Sequence, residues 1–218
     1  MRLLVMDTTG FACSAALRVP GRTDLCVSED MARGQAERLA PMVQEILAEA
    51  GLKPGDLDRI GVTTGPGSFA GTRVGVAFAR GLSLAADADC VGISNLHWWA
   101  QSIAPGPDVP IIVHHDAKRG EIVSQVFNRT SSRSAAATRT IAEAKALDEK
   151  ARNSVGDSNA AVLVGTGAHL VDGGPVRPPP GLNVLLDIAE NAKPPFDRPK
   201  PFYARPPDAK LPGGRSPE

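Results

Sequence analysis

Apolar and polar residues alternate along the first third of the chain in short blocks. Arg2-Leu3-Leu4-Val5-Met6 is an apolar run closed by Asp7-Thr8-Thr9-Gly10, a pattern that predicts a strand and a tight turn. A returning strand is expected from about Cys13 to Arg18 and a third from Leu25 to Ser28. From Arg33 to Ala50 the period changes: Leu39, Met42, Val43, Ile46, Leu47 and Ala50 recur at three- and four-residue steps, the signature of an amphipathic helix. Pro41 predicts a kink in it or its regular start, and Gly51 and Pro54 predict its end. Arg59–Thr64 reads as a buried strand, Gly65-Pro66-Gly67-Ser68-Phe69-Ala70-Gly71 as a loop, and Thr72–Ala86 as a second helix. A strand at Cys90–Ile93 and a short helix to Ser102, capped by Ser94 or Asn95, follow.

After a linker at Ala104-Pro105-Gly106-Pro107-Asp108 the opening pattern returns. Ile111-Ile112-Val113 leads to Asp116, a turn at Gly120 and an alternating strand from Glu121 to Phe127. Two matching segments predict two related lobes meeting at a cleft, an N-terminal lobe over 1–104 and a smaller lobe over 105–218. A helix is expected at Ala142–Arg152 and a strand at Ala161–Val164, ending at Gly165-Thr166-Gly167. Twelve of the nineteen prolines lie from Pro175 onward, so the tail is expected to be largely extended and frayed near its end.

Composition narrows the function. Lys plus Arg and Asp plus Glu are both 24, so the formal net charge is zero. That argues against a nucleic-acid binder acting through overall positive charge but leaves room for a local basic patch. Aromatic residues are 4% of the chain, so stacking platforms for single-stranded nucleic acid are not expected. No apolar run approaches the roughly 20 residues of a membrane span, and an acid at Asp7 interrupts the start before a signal-peptide core could form. Cys13, Cys26 and Cys90 lack metal spacing and read as reduced, small core residues of a cytoplasmic protein.

Candidate chemistry is sparse. Gly65-x-Gly67-x-x-Ala70 formally matches a dinucleotide fingerprint with Asp87 about 20 residues on, but Asp87 precedes the next strand instead of ending it. No Gly-Lys-Ser/Thr follows for a phosphate loop of the Walker type. Asp7 and Asp116 could pair across a cleft on a magnesium–nucleotide, or each could merely cap its own turn. His114 and His115 are adjacent on a strand and face opposite ways, which disfavours a metal site. His97 and His169 read as isolated, Trp98-Trp99 as packing, and Lys118-Arg119 as exposed charge.

Several segments in order resemble a known family: LLVMDTTGFACSAAL, RGQAERLAPMVQEIL, GVTTGPGSFAGTRVGVAFARGLSLA and VGISNL, with DAKRGEI at Asp116–Ile122 and PFYARPPDAK at Pro201–Lys210. They are similar to the TsaB (YeaZ) family, dimerisation subunits of the bacterial tRNA threonylcarbamoyladenosine machinery. The likeness covers residues 1–127 and is patchy over 128–200; Gln35 stands where many members have His.

The resemblance implies a two-lobed α/β fold of the actin-like ATPase and sugar-kinase superfamily, each lobe a mixed sheet with helices. It implies a cytoplasmic, non-catalytic subunit that pairs with the catalytic subunit TsaD, with TsaE as third component and tRNA reached only through the complex. Homodimers in isolation are expected, as is ATP or ADP at the complex interface and no cofactor on this chain alone. The catalytic relative's His-x-x-x-His metal pair falls here at Asn95 and Trp99. Partner binding is expected through Leu39, Met42, Val43, Ile46, Arg73, Val74 and Phe78, the wide apolar arc of the two helices being either an interface or packing against the second lobe. Asp7, Thr8, Thr9 and Asp116 form a candidate vestigial nucleotide cleft. The alternative is a phosphotransferase or ATPase of the same fold, and a weaker one a glycoprotease-like peptidase.

Overall fold

The computed structural model describes residues 1–104, 109–128, 131–153 and 161–204. The expected linker at 104–108, except for Ala104, and the end of the tail lie outside them. Five strands form the first sheet: β1 (Leu3–Asp7), β2 (Ala12–Arg18), β3 (Leu25–Asp30), β4 (Arg59–Thr63) and β5 (Asp89–Ile93), in the order β3-β2-β1-β4-β5. β2 is antiparallel to β1 and β3, whereas β1 is parallel to β4, and β4 to β5. Alternation along β1 sends Leu4 and Met6 to one face and Leu3 and Val5 to the other.

The Leu4 face is covered by α1 (Gln35–Ala50) and α2 (Phe69–Ala86). α1 includes Pro41 instead of starting at it, so the Glu37 carbonyl loses its usual helix partner there. α2 starts three residues before the expected Thr72 because Ser68 caps it, its hydroxyl accepting from the Gly71 N–H at 3.2 Å. Ser94 caps α3 (Asn95–Gln101) in the same way.

The second sheet has the order β8-β7-β6-β9, built from β6 (Ile111–Lys118), β7 (Glu121–Phe127), β8 (Ala137–Thr140) and β9 (Val162–Val164). β7 is antiparallel to β6 and β8, and β9 is parallel to β6. The first four strands of each lobe therefore share one topology, which is the physical content of the recurring strand–acid–glycine pattern. The lobes also share a device. After β4, the Ser68 N–H donates to the Thr9 carbonyl beyond the end of β1, and after β9 the Gly167 N–H donates to the His114 carbonyl on β6. A side chain at Gly165 would meet that carbonyl at 2.2 Å, so the closeness requires glycine. α4 (Ile141–Asn153) and the short α5 (His169–Asp172) cover this sheet.

The tail departs from expectation. Leu182–Asn191 is a helix, α6, and it packs on the first sheet, Leu185, Leu186 and Ala189 meeting Leu3, Val5, Ala16 and Trp98. A boundary at 104/105 divides the two sheets, but α6 from beyond it belongs by packing to the first. From Pro195 the chain runs as a strap over the end of that sheet. Pro199 is buried beside Gly92, the Phe202 N–H donates to the Thr64 carbonyl at 2.7 Å, and the Thr138 hydroxyl on β8 donates to the Ala204 carbonyl at 2.9 Å.

Candidate functional site: the loop cluster above β1 and the outer helix face

The end of β1 is a closed polar knot. Asp7 is buried, and its Oδ1 accepts from the Thr9 N–H at 3.1 Å, from the Thr9 hydroxyl at 2.6 Å and from the Thr63 hydroxyl. Asn95 extends the knot, donating from Nδ2 to the Thr9 hydroxyl and accepting the Gly65 N–H on Oδ1. Thr8 turns the other way and donates to the Gly71 carbonyl at 2.7 Å. Three chain segments that each end a strand are thereby tied together: the β1–β2 turn, the loop Gly65–Gly71 and the start of α3.

Asp116 is held within its own lobe. Its Oδ1 accepts the Lys118 N–H at 2.8 Å and its Oδ2 the Lys118 ammonium at 2.5 Å, contacts that hold the carboxyl below its ordinary range against the opposing effect of burial. Asp7 and Asp116 each cap their own turn, as in the capping alternative, whereas Thr8, Thr9 and Asp7 also hold partners far away in the chain.

The two residues that the resemblance sets against a metal pair are engaged as well. Asn95 spends its amide on Thr9 and Gly65, and Trp99 is buried among Leu96, Ile111 and Val123 in the core between α3 and the second sheet. Among the described residues no three His, Cys, Asp or Glu side chains are grouped to hold a metal ion. His114 is fully buried with Nδ1 on the Ser124 hydroxyl at 2.8 Å, and burial pushes its pKa down to about 4. His115 is likewise pushed down to about 4 by burial, its Nδ1 on Thr166 at 3.1 Å. The thiols are no better placed for nucleophilic work: burial raises Cys13 to about 11. Cys26, expected in the core, is exposed on the edge strand β3.

The partner-binding residues require correction. Leu39, Met42, Val43 and Ile46 are between 0% and 2% exposed and lie in the monomer's own core with Leu4, Met6, Leu17 and Val62. Val74 and Phe78 are half-buried against the same core, and of the seven only Arg73 is exposed. The wide arc on α1 has a simple cause: one part faces β2 and the rest faces the neighbouring α2. Periodicity measures the width of an apolar arc but not which neighbour covers it.

The face the two helices leave to solvent is of another kind. On α2 it carries Ala70, Arg73, Ala77, Gly81 and Leu84, with Leu84 86% exposed; on α1 it carries Ala36, Pro41, Gln44 and Ala48. Exposed Glu37, Glu45 and Glu49 run along α1, whereas the charges of α2 are Arg73 and Arg80. Arg38 is held between Glu29 and Glu45 at 2.6 Å from each. At the start of α2 the Arg73 guanidinium lies 4.0 Å over the Phe69 ring, and its Nε donates to the Tyr203 hydroxyl at 2.8 Å.

Residues 26–164 match the family model described as "TsaD: tRNA N6-adenosine threonylcarbamoyltransferase". A protein of Escherichia coli strain K12 named tRNA threonylcarbamoyladenosine biosynthesis protein TsaB is 34% identical over 59% of this chain and 56% of its own length. The chain belongs to the TsaD/TsaB (YeaZ) family. The TsaB protein of Haemophilus influenzae is 41% identical over 47% of this chain and 43% of its own length, so the matches span about half of these relatives. Among solved structures, YeaZ from Pseudomonas aeruginosa is 31% identical with a TM-score of 0.55, covering 64% of this chain and 66% of that one. A second structure, an uncharacterized protein with similarity to peptidase YEAZ from the same organism, has a TM-score of 0.69 at 28% identity and covers 94% and 99%. The two mixed-sheet lobes are thus the YeaZ fold. Among the described residues no helix is long and apolar enough to cross a membrane.

Proposed function

We propose that this chain is a non-catalytic subunit in the formation of threonylcarbamoyladenosine in tRNA, pairing with a TsaD-type transferase through the outer face of α1 and α2. The observation that carries the reading is that Asn95 and Trp99, which the resemblance sets against the catalytic relative's metal pair, are both engaged here, Asn95 with Thr9 and Gly65 and Trp99 by burial. Neither supplies a ligand, so a Lewis acid cannot be held there, and an acyl-type transfer would lose its main electrostatic stabiliser.

The outer face supports pairing. Its small residues let a partner helix approach closely, and apart from Arg38, already held by Glu29 and Glu45, its acids lie on α1 and its bases on α2. A homologous partner carrying the same two helices can cross α1 over α2 and place glutamates against arginines, as two-fold interfaces do. A second copy of this chain would be taken the same way when the transferase is absent. TsaE as a third component and ATP or ADP at the assembled interface are part of this proposal; they rest on the resemblance.

Reconstituted modification tests it. The transferase with its synthase, TsaE, ATP and an ANN-decoding tRNA should form the modified base only when this chain is added, and the chain alone should turn over no ATP. ATP hydrolysis by the chain alone, with modification independent of it, would favour the phosphotransferase reading instead.

A further inference from the structure

The strap after α6 carries a charge pattern that the neutral composition of the chain conceals. Lys193, Arg198 and Lys200 are exposed within eight residues of each other, with Asp197 as the acid among them. The acids on the flanking elements are already taken: Asp187 and Glu190 by Arg18, and Asp89 by Arg59. Among the described residues none of the three strap cations has an ion-pair partner. Between the strap and β5 lies an open cleft of about 400 Å³, floored by Thr64, Val91 and Gly92 and walled by the strap from Pro195 to Lys200. That volume is in the range of about 300–1,000 Å³ typical of ligand sites.

Aromatic rings are interleaved with these cations. Phe196 lies in the wall with the Arg59 guanidinium 4.6 Å over its ring, Phe202 is 38% exposed, and Tyr203 lies 4.9 Å from Phe69, which is 44% exposed. Of these rings Phe196 lines the cleft, with Arg59 over it, and Phe69 and Tyr203 are engaged with Arg73, so the exposed Phe202 is the ring best placed to receive a base. A positive groove with an exposed ring beside it can hold single-stranded nucleic acid, phosphates on the cations and a base on the ring, in spite of the low aromatic content of the chain. The strap is also fixed before any ligand arrives, by the Phe202–Thr64 and Thr138–Ala204 hydrogen bonds and by Pro199 against Gly92, which reduces the ordering cost of binding.

We propose that the strap Lys193–Tyr203 and the cleft beneath it bind the phosphate backbone of single-stranded RNA. The inference rests on the proposed role in tRNA modification and goes past it, because it gives this chain its own contacts to RNA. The exposed Phe202 ring favours RNA over an acidic protein segment, which would use the cations alone.

The test is fluorescence anisotropy of the full chain with a labelled 12-nucleotide single-stranded RNA at a series of KCl concentrations, with poly-glutamate as competitor. Arg198→Glu with Lys200→Glu should weaken binding at least tenfold at low salt. The double change should also reduce the slope of log Kd against log salt by about 1.4, the loss of two phosphate contacts on a single strand. Lys145→Glu with Lys150→Glu, the same charge change on exposed positions of α4, should leave both unchanged. Circular dichroism melting confirms that each variant is folded, and Arg198→Ala with Lys200→Ala serves if the reversal disturbs folding. Undetectable RNA binding, equal losses from both pairs, or displacement by poly-glutamate with no effect of Phe202→Ala would overturn the proposal. Light scattering with the transferase separates the two readings. Pairing without RNA binding removes only this inference, whereas RNA binding without pairing removes the scaffold role.

Discussion

Thr8 donates its hydroxyl to the Gly71 carbonyl at 2.7 Å, and its own carbonyl oxygen lies 1.9 Å from where a Cβ on Gly71 would stand. Helix α2 can sit this close to the end of β1 only because residue 71 has no side chain. Gly71→Ala should therefore cost more than about 2 kcal/mol through overpacking. Gly81→Ala on the same helix, where a methyl meets nothing within 4 Å, should stabilise by about 0.5–1 kcal/mol. Urea denaturation of both variants checks the contrast, and equal effects would contradict it.

The Asp7 knot is a structural element, and its removal should be felt as such. Asp7→Ala strips an acceptor from the Thr9 N–H and from the Thr9 and Thr63 hydroxyls in a buried place. Leaving such donors unsatisfied costs about 1–3 kcal/mol each before relaxation, so a loss of roughly 3 kcal/mol is expected. Asp7→Asn, which keeps an acceptor oxygen, should lose less than half of that in the same urea titration.

Stability should also fall in acid through the second lobe. His114 and His115 have folded pKa values near 4, below the ordinary value of 6.5, because burial disfavours their charged forms. The unfolded chain then binds more protons between pH 6.5 and about 4. Stability is full above that window and declines as pH falls through it, by up to about 1.4 kcal/mol per pH unit for each histidine. The urea midpoint measured from pH 7.5 to 4.5 should fall less steeply in His114→Gln. Identical slopes would show that His114 does not contribute.

Much of the first lobe was legible because its apolar residues alternate with a clear period and its punctuation is strong: Gly51 ends α1 and Ser94 opens α3, although the Ser68 cap was hidden in the glycine-rich loop and α2 was expected three residues late. Helix α6 was not, since prolines on both sides of Leu182–Asn191 obscured the spacing of Leu182, Leu185, Leu186 and Ala189, which alone predicts an amphipathic helix. β8 is a four-residue edge strand with half its residues exposed, too short for its alternation to stand out. The candidate site was half legible. Asp7 and its turn are local, but Thr63 and Asn95 join it from distant positions in the chain, and no spacing rule reaches that far. The misassigned partner face has the same origin, because the sheet and α2 claim the apolar arc of α1 before any partner can.

That correction yields a sharp pair of variants. Val43→Glu places a charge in a site 2% exposed and should cost more than about 4 kcal/mol, so the chain should not fold. Ala77→Glu with Leu84→Glu alters only exposed positions and should shift stability by about 0.5 kcal/mol or less for each change. Thermal melts followed by circular dichroism distinguish the two outcomes.

The most direct measurement is the mass, by light scattering during size-exclusion chromatography, of this chain mixed with the TsaD-type transferase from the same source. The wild-type chain should give a one-to-one complex that replaces any homodimer, and the folded Ala77→Glu, Leu84→Glu variant should elute as a separate monomer beside the free transferase. A one-to-one complex that survives the two glutamates would contradict pairing through the outer face of α1 and α2, and no complex with the wild-type chain would contradict the scaffold role itself.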